Sequence, residues 1–247
     1  WITTHAGGDV FLFPLEAPNR RAERRRDIVA ALSAEHGFTV ARVVDWSGYE
    51  LEYAYLEGTG SMVLDRVHRI AYAARSTRTH ERLVRLFARE AGFEPCLFDT
   101  RDATGRPVYH TNVMLAIGFR FAIVCSTMIA DAGGRAAVRA RLGDTGREVI
   151  EITPEQMAAF AGNLLEIKGT DDTPLIVLSR AAAAALTPAQ RATLGDGAQL
   201  LPVAVDTIER VGGGGVRCML AEIFLPAAKD SGRPAATGPA PGTGHGV

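Results

Sequence analysis

The sequence predicts an α/β fold assembled from repeated β-β-α-β units that close around an axis. Three observations predict it: hairpin-like apolar stretches recur, each is followed by a helical pattern and one more short apolar run, and equivalent residues return at a near-constant interval. Leu56–Tyr72, His110–Cys125 and Asn163–Leu178 each read as strand, polar turn, strand, as in HTNVMLAIGFRFAIVC and NLLEIKGTDDTPLIVL. A fourth such stretch opens the chain as WITTHAGGDVFLFPL, with Gly7-Gly8-Asp9 as its turn. A fifth begins at Val216 as VRCMLAEIFLP and has no partner strand after it. Glu57, His110, Asn163 and Cys218 stand 53, 53 and 55 residues apart, a period that marks repeated supersecondary units. A propeller-like ring satisfies the repeat; a plain open α/β sheet is the alternative.

The elements between hairpins follow from local signals. Asn19 to about His36 reads as a very basic helix, stopped by Gly37 and followed by the strand FTVARVV. Thr79 can cap a helix that places Leu83, Val84, Phe87 and Ala91 on one face, with Gly92 as its stop and PCLF as the next short buried strand. Gly146 leads into REVIEI and Gly197 into AQLLPVAV. Thr153-Pro154 and Thr187-Pro188 are helix starts, each with a Gln three residues after the Thr. From Ala227 the chain becomes AAKDSGRPAATGPAPGTGHGV, with almost nothing to bury. The expected organisation is one domain over 1–226 and a disordered tail over 227–247.

Composition excludes several classes. Lys plus Arg number 27 against 28 Asp plus Glu, which argues against a nucleic-acid binder. Apolar residues make up 47%, yet no apolar run approaches the roughly 18 residues of a membrane span. The three cysteines, Cys96, Cys125 and Cys218, are too few and odd in number for a disulfide framework, and no CxxC pair is present for zinc. A cytoplasmic location is the expectation.

Equivalent positions of successive units meet near the axis of a closed ring. Three of them hold Glu57, His110 and Cys218: a carboxylate, an imidazole and a thiol, the parts of a nucleophilic site. Singly, each has an ordinary reading, as a turn residue, a hydrogen-bonded structural histidine or a small core cysteine. Their shared phase favours the joint reading. Cys218 also follows Gly212–Gly215, a run that lets backbone approach a ligand closely, whereas Cys96 and Cys125 lie in apolar strands and read as core.

The segments YLEGTGSMVLDR, YHTNVMLAIG, FAGNLLEI and GGGGVRCMLAEIFLP resemble the guanidine-modifying enzyme superfamily, whose fold is the pentein five-bladed α/β propeller. The likeness runs from Trp1 to about Pro226 and is closest to the amidinotransferase-like citrulline hydrolase branch, related to arginine deiminase and dimethylarginine dimethylaminohydrolase. It implies Cys218 as nucleophile, His110 as general acid and base, and Glu57 as the carboxylate of the triad. Ser76-Thr77-Arg78-Thr79 resembles the deiminase S-E-R-T segment, which implies Arg78 as a grip on the substrate α-carboxylate, with Arg20 a second candidate.

Two departures from the family pattern bear on function. Deiminases carry His-x-Asp where this chain has His110-Thr111-Asn112. A guanidinium is cationic and wants a carboxylate, while a neutral ureido group wants a donor for its oxygen, which Asn112 supplies. Family members also carry a further helix and strand upstream, ending in an F-P-N-N-W-like segment. The expectation is that the N-terminal part of one blade is missing before Trp1, leaving an unpaired edge that invites association into a homo-oligomer. The implied activity is hydrolysis of citrulline to ornithine, ammonia and carbon dioxide, with no metal or organic cofactor. Arginine deiminase, dimethylarginine dimethylaminohydrolase and amidinotransferase activities are the alternatives. A non-catalytic pentein, such as a ribosome anti-association factor, would not need the Cys–His–Glu set.

Overall fold

Residues 1–228 are described by the structure, a computed structural model. Twelve strands form four three-stranded sheets in chain order: β1 (Ile2–Thr4), β2 (Asp9–Leu12) and β3 (Arg42–Asp45); β4 (Val63–Asp65), β5 (Ile70–Ala74) and β6 (Glu94–Phe98); β7 (Leu115–Ile117), β8 (Phe121–Val124) and β9 (Glu148–Glu151); β10 (Leu165–Lys168), β11 (Pro174–Ser179) and β12 (Gln199–Val203). Each sheet repeats one plan. The first strand pairs antiparallel with the second, as in Leu115↔Val124, and the third returns parallel to the second, as in Ile123↔Ile150. A parallel return needs a crossover, and helices supply it: α1 (Arg26–Ala34), α2 (Glu81–Ala91), α3 (Ala132–Gly143), and in the last unit α5 (Arg180–Ala185) with α6 (Pro188–Leu194). Two more helices, α4 (Pro154–Ala158) and α7 (Asp206–Gly212), connect units.

Helices on the sheets explain why the middle strands are apolar throughout. Every residue of β5 and of β8 is buried. β7 lies against both β4 and β10, so the first strands of neighbouring units face one another on the inside. The largest apolar cluster runs through units two to four and includes Tyr72, Met114, Ile123 and Leu178. A second joins unit one to unit two through Phe11, Phe13, Trp46 and Phe87.

Several expected boundaries move, each for a local reason. The basic helix Asn19–His36 is split into a 3-10 turn, Pro18–Glu23, and α1, because Arg24 and Arg25 leave helical geometry. Arg24 instead donates to Phe13 O and pairs with Glu50. Thr79 does not cap α2: its backbone bridges Leu56 and Ser76, and His80 takes the N-cap position. Gly92 stops α2 as expected, at φ 72°. PCLF lies in β6 but is only half-buried apart from Phe98. The first hairpin turns at Ala6–Gly8, with Asp9 already in β2. The expected strands beginning at Leu56 and His110 start later, at Val63 and Leu115, because a turn follows Glu57 and a 3-10 turn spans Thr111–Val113. The strand expected from Val216 is a 3-10 turn, Val216–Met219. Beyond it the chain is extended without a ladder: Thr4 Oγ1 donates to Glu222 O and accepts from Phe224 N, and Leu225 packs with Ile2, Val10 and Leu12. Among the described residues no fifth sheet forms. Ala227 bridges Phe38 and Ala228 donates to Gly37 O; the remainder of the expected tail, 229–247, lies outside the described residues.

Both Thr-Pro helix starts are capping boxes, Thr153 with Gln156 and Thr187 with Gln190, and the two glutamine amides bond each other at 2.8 and 3.2 Å. At the other end of the sheets a buried ion pair ties unit two to unit three. Arg147 donates to both Asp65 oxygens at 2.6 and 3.2 Å, with the residues 7% and 1% exposed. Burial pushes the Asp65 pKa up, but the Arg147 bonds and the His68 N–H outweigh it, so the carboxyl sits below its ordinary value. Arg147→Met is expected to cost about 3–5 kcal/mol by stranding that carboxylate, read as a lowered urea midpoint. The pair contributes above the ordinary carboxylate range and fades as pH falls through the lowered value, so the gap between wild type and variant should narrow in acid.

Candidate functional site

The segments leading into β4 and β7 lie at the end of the sheets opposite the hairpin turns. There they meet the glycine-rich loop after α7 and the turn after β2, around a cavity of about 730 Å³. All six residues singled out in the sequence line it: Arg20, Glu57, Arg78, His110, Asn112 and Cys218.

Glu57 follows Leu56, whose N–H donates to Pro14 O, and is set by the turn over residues 58–60. Its N–H donates to Ser61 Oγ, which donates in turn to Arg78 O, and Gly58 adopts φ 56°, which favours glycine. The carboxylate is 3% exposed and fully engaged. Oε2 accepts from His110 Nε2 at 2.8 Å and Arg20 Nη1 at 3.2 Å, with Arg78 Nη1 at 3.6 Å, and Oε1 accepts from Glu16 N at 2.9 Å. Burial alone would raise its pKa; the His110 bond, the Glu16 N–H and Arg78 outweigh it and hold the carboxyl at about 2.

His110 is extended at the entry to the Thr111–Val113 turn, and its ring lies over Gly60, where a Cβ would come within 2.9 Å of it. Thr111 clamps the two loops together: its Oγ1 donates to Ser61 O and accepts from Ala74 N. Burial pushes the imidazole below its ordinary value, more than the Glu57 bond lifts it, and Arg78 and Arg20 push the same way as burial. A neutral ring beside an ionised Glu57 places the proton on Nε2, pointing at the carboxylate, and leaves Nδ1 as the basic nitrogen.

Cys218 sits in the 3-10 turn, exposed, behind Gly214, where a Cβ would stand 3.3 Å from Sγ. Sγ lies 3.3 Å from Asn163 Nδ2 and 3.6 Å from Asn112 Nδ2. Cys125 is wholly buried and Cys96 half-buried, and burial pushes both thiols up. Cys218 and His110 share the cavity without bonding each other. The two arginines are paired within the protein: Arg20 donates two parallel hydrogen bonds, from Nε and Nη2, to the Glu23 carboxylate, and Arg78 Nε donates to Glu16 at 3.1 Å. Among the described residues no group of His, Cys, Asp and Glu side chains is arranged to hold a metal ion, and no helix is long and apolar enough to cross a membrane.

Sequence reasoning passed over three residues. Asn163 shares the repeat phase of Glu57, His110 and Cys218, and that phase alone could have placed it here. Tyr109, whose hydroxyl donates to Gly213 O, and Glu16 carried no signal beyond adjacency.

Protonation makes a further expectation. Both Glu57 and His110 titrate lower in the folded chain, so folding releases protons as pH falls through their ordinary ranges. Stability should therefore decline first below about 6.5, for His110, and again from about 4.5 toward 2, for Glu57. Urea titrations across pH should show the second decline become shallower in Glu57→Gln.

The described residues form four α/β units of one plan, with thiol, imidazole and carboxylate on one cavity, and the units are compatible with the pentein fold. The family model for eukaryotic N,N-dimethylarginine dimethylhydrolase matches residues 1–225, and the chain belongs to that family. This family is the relative of the citrulline hydrolase branch that the sequence motifs most resemble. Among solved structures, the apo arginine dihydrolase ArgZ of the cyanobacterial ornithine-ammonia cycle matches at TM-score 0.65 and 16% identity, over 92% of this chain and 32% of that one. AgrE, solved as a cysteine-to-alanine mutant with L-arginine, matches at TM-score 0.67 and 15% identity, over 92% and 30%. A dimethylarginine dimethylaminohydrolase adduct with 4-chloro-2-hydroxymethylpyridine matches at TM-score 0.56 and 15% identity, over 88% and 74%. The chain thus spans about a third of the full-length ArgZ and AgrE chains it matches. No curated protein is similar enough in sequence to match.

Proposed function

We propose that this protein is a cysteine-dependent hydrolase of the ureido group of an amino acid, with L-citrulline as substrate and ornithine, ammonia and carbon dioxide as products. The observation that carries the choice of a ureido group is the Asn112 amide, 3.6 Å from Cys218 Sγ where a deiminase has a carboxylate. The cavity wall holds Arg20, Arg78 and Arg217 against only Glu23 and Glu57, and both carboxylates are already bonded to arginine or histidine. A guanidinium would therefore enter with no unengaged carboxylate beside it, at a cost of roughly 1–3 kcal/mol, while a neutral urea would not.

In the first step the Cys218 thiolate bonds the ureido carbon, and the C–N bond to the ornithine side chain breaks. His110 delivers the proton that the departing amine requires, having taken it from the thiol through substrate atoms or water in the cavity. A water that loses its proton to His110 then attacks the thiocarbamate carbon. This frees Cys218 and gives carbamate, which falls apart to ammonia and carbon dioxide. Glu57 stays ionised throughout and steadies the imidazolium when it forms. Arg78 and Arg20 are the groups positioned to take the substrate α-carboxylate, exchanging Glu16 or Glu23 for it.

Membership of the dimethylarginine dimethylhydrolase family and likeness to an arginine dihydrolase favour a second reading, a guanidino substrate such as arginine or a methylated arginine. A panel of citrulline, arginine and dimethylarginine, followed by ornithine, citrulline and ammonia release, separates the two. Citrulline turnover with ornithine as product supports the ureido reading; faster turnover of arginine than of citrulline overturns it.

A further inference from the structure

Asn163 is 0% exposed and stands in the short connection between α4 and β10, wedged between the loop that carries His110 and the loop that carries Cys218. Its Nδ2 donates to the backbone oxygen of Asn112 at 2.8 Å and lies 3.3 Å from Cys218 Sγ. The Asn112 oxygen can only accept, so it fixes which end of the amide carries hydrogens. One N–H goes to that carbonyl and the other is aimed at the sulfur. The opposite end, Oδ1, is buried without a partner, against Gly215, where a Cβ would come within 2.7 Å of it. Close approach is also required on the other side, since a Cβ on Gly162 would lie 2.6 Å from Val113 O. A buried carbonyl oxygen left unsatisfied is a standing cost that packing alone does not explain.

We propose that Asn163 is a positioning residue for the nucleophile: its amide binds the Cys218 sulfur, stabilises the thiolate over the thiol, and fixes that sulfur relative to the His110 loop. This rests on the reading of Cys218 as the nucleophile. An N–H donor bonds an anionic sulfur more strongly than a neutral one, because the bond is charge-assisted. The Asn112 amide, at 3.6 Å, is the second and weaker donor. The one-turn route from Asn163 through Asn112 O to the residue two after His110 links both halves of the site by a single amide.

Alkylation by iodoacetamide tests this without any substrate. The thiolate forms the C–S bond, iodide leaves, and Cys96 and Cys125 serve as internal controls in the peptide map. In Asn163→Asp and Asn163→Ser the Cys218 rate at neutral pH should drop about tenfold, and its pH profile should move to higher pH. Gly215→Ala should move it the same way, because the added methyl pushes on Asn163 Oδ1 while removing no polar side chain. In steady-state assays of the Asn163 variants kcat should fall with little change in KM. Profiles that superimpose on wild type in these variants, folded by circular dichroism, overturn the role of Asn163. Should the Asn163 variants not fold, an unshifted profile in Gly215→Ala overturns it equally. Retained turnover in Cys218→Ser would instead overturn the functional reading, leaving the alkylation result to speak for the amide–thiolate bond alone.

Discussion

Cys218→Ser is expected to lower kcat about 10⁴-fold or more, with the fold intact. The magnitude follows from what surrounds the sulfur. Two amide N–H groups reach it and no base is bonded to it, since His110 gives its Nε2 to Glu57. A thiol gives up its proton far more readily than a hydroxyl and is the stronger nucleophile without a bonded base. A serine hydroxyl has an intrinsic acidity far too low for that, and no imidazole sits in hydrogen-bond contact to activate it. Stability should change little, because Cys218 is exposed in a 3-10 turn. Cys125→Ser makes the contrast: that side chain is wholly buried, so a hydroxyl there should lower the urea midpoint and leave kcat of the folded fraction unchanged. Ornithine release per folded enzyme decides the matter, and a Cys218→Ser rate within tenfold of wild type would sink the cysteine mechanism.

The parts legible in the sequence were those set by short-range chemistry or by the repeat. Both capping boxes, the Gly92 stop and the four-fold recurrence of hairpin, helix and strand depend on neighbours within one unit. The meeting of Glu57, His110, Asn112, Arg78, Arg20 and Cys218 on one cavity followed from their phase and from family motifs. What stayed illegible depends on contacts across units. Thr79 satisfies every local rule for an N-cap, yet its backbone is claimed by Leu56 and Ser76. Arg24 and Arg25 have good helix propensity, yet a carbonyl and Glu50 on other segments draw Arg24 away and break the helix. Val216–Met219 is apolar enough for a strand, but the expected ladder partner is not among the described residues, and the turn places Cys218 instead. Asn163 was visible as a repeat position; its role was not, because an asparagine in a G-N turn is ordinary until its amide is seen spanning Asn112 O and a sulfur.

Asn112→Asp should reverse the order of substrates. Asn112 is 3% exposed, and its side chain stands at the sulfur, 3.6 Å by Nδ2 and 3.9 Å by Oδ1. Any carbon under attack by Cys218 must bring its substituents within reach of that amide. A ureido oxygen gathers negative charge as the tetrahedral state forms, and Nδ2 can meet it with a donor; an ionised carboxylate there would repel it. A guanidinium reverses the argument, since it presents N–H groups and a positive charge and gains a partner from the introduced anion. Because the carboxylate also removes one donor from the sulfur, kcat should fall for both substrates, so the ratio of kcat/KM values is the quantity to read. That ratio, citrulline over arginine, should drop by orders of magnitude, up to about 10⁴, as expected where a site is built around one hydrogen bond. On the proposed reading, three arginines against two engaged carboxylates on the cavity wall favour a neutral group, and the substitution adds a negative charge at the reacting end. A variant ratio equal to that of wild type would mean that Asn112 does not read the substrate. A wild type already faster on arginine or dimethylarginine would place the enzyme with the guanidino hydrolases, with Cys218, His110 and Glu57 in unchanged roles.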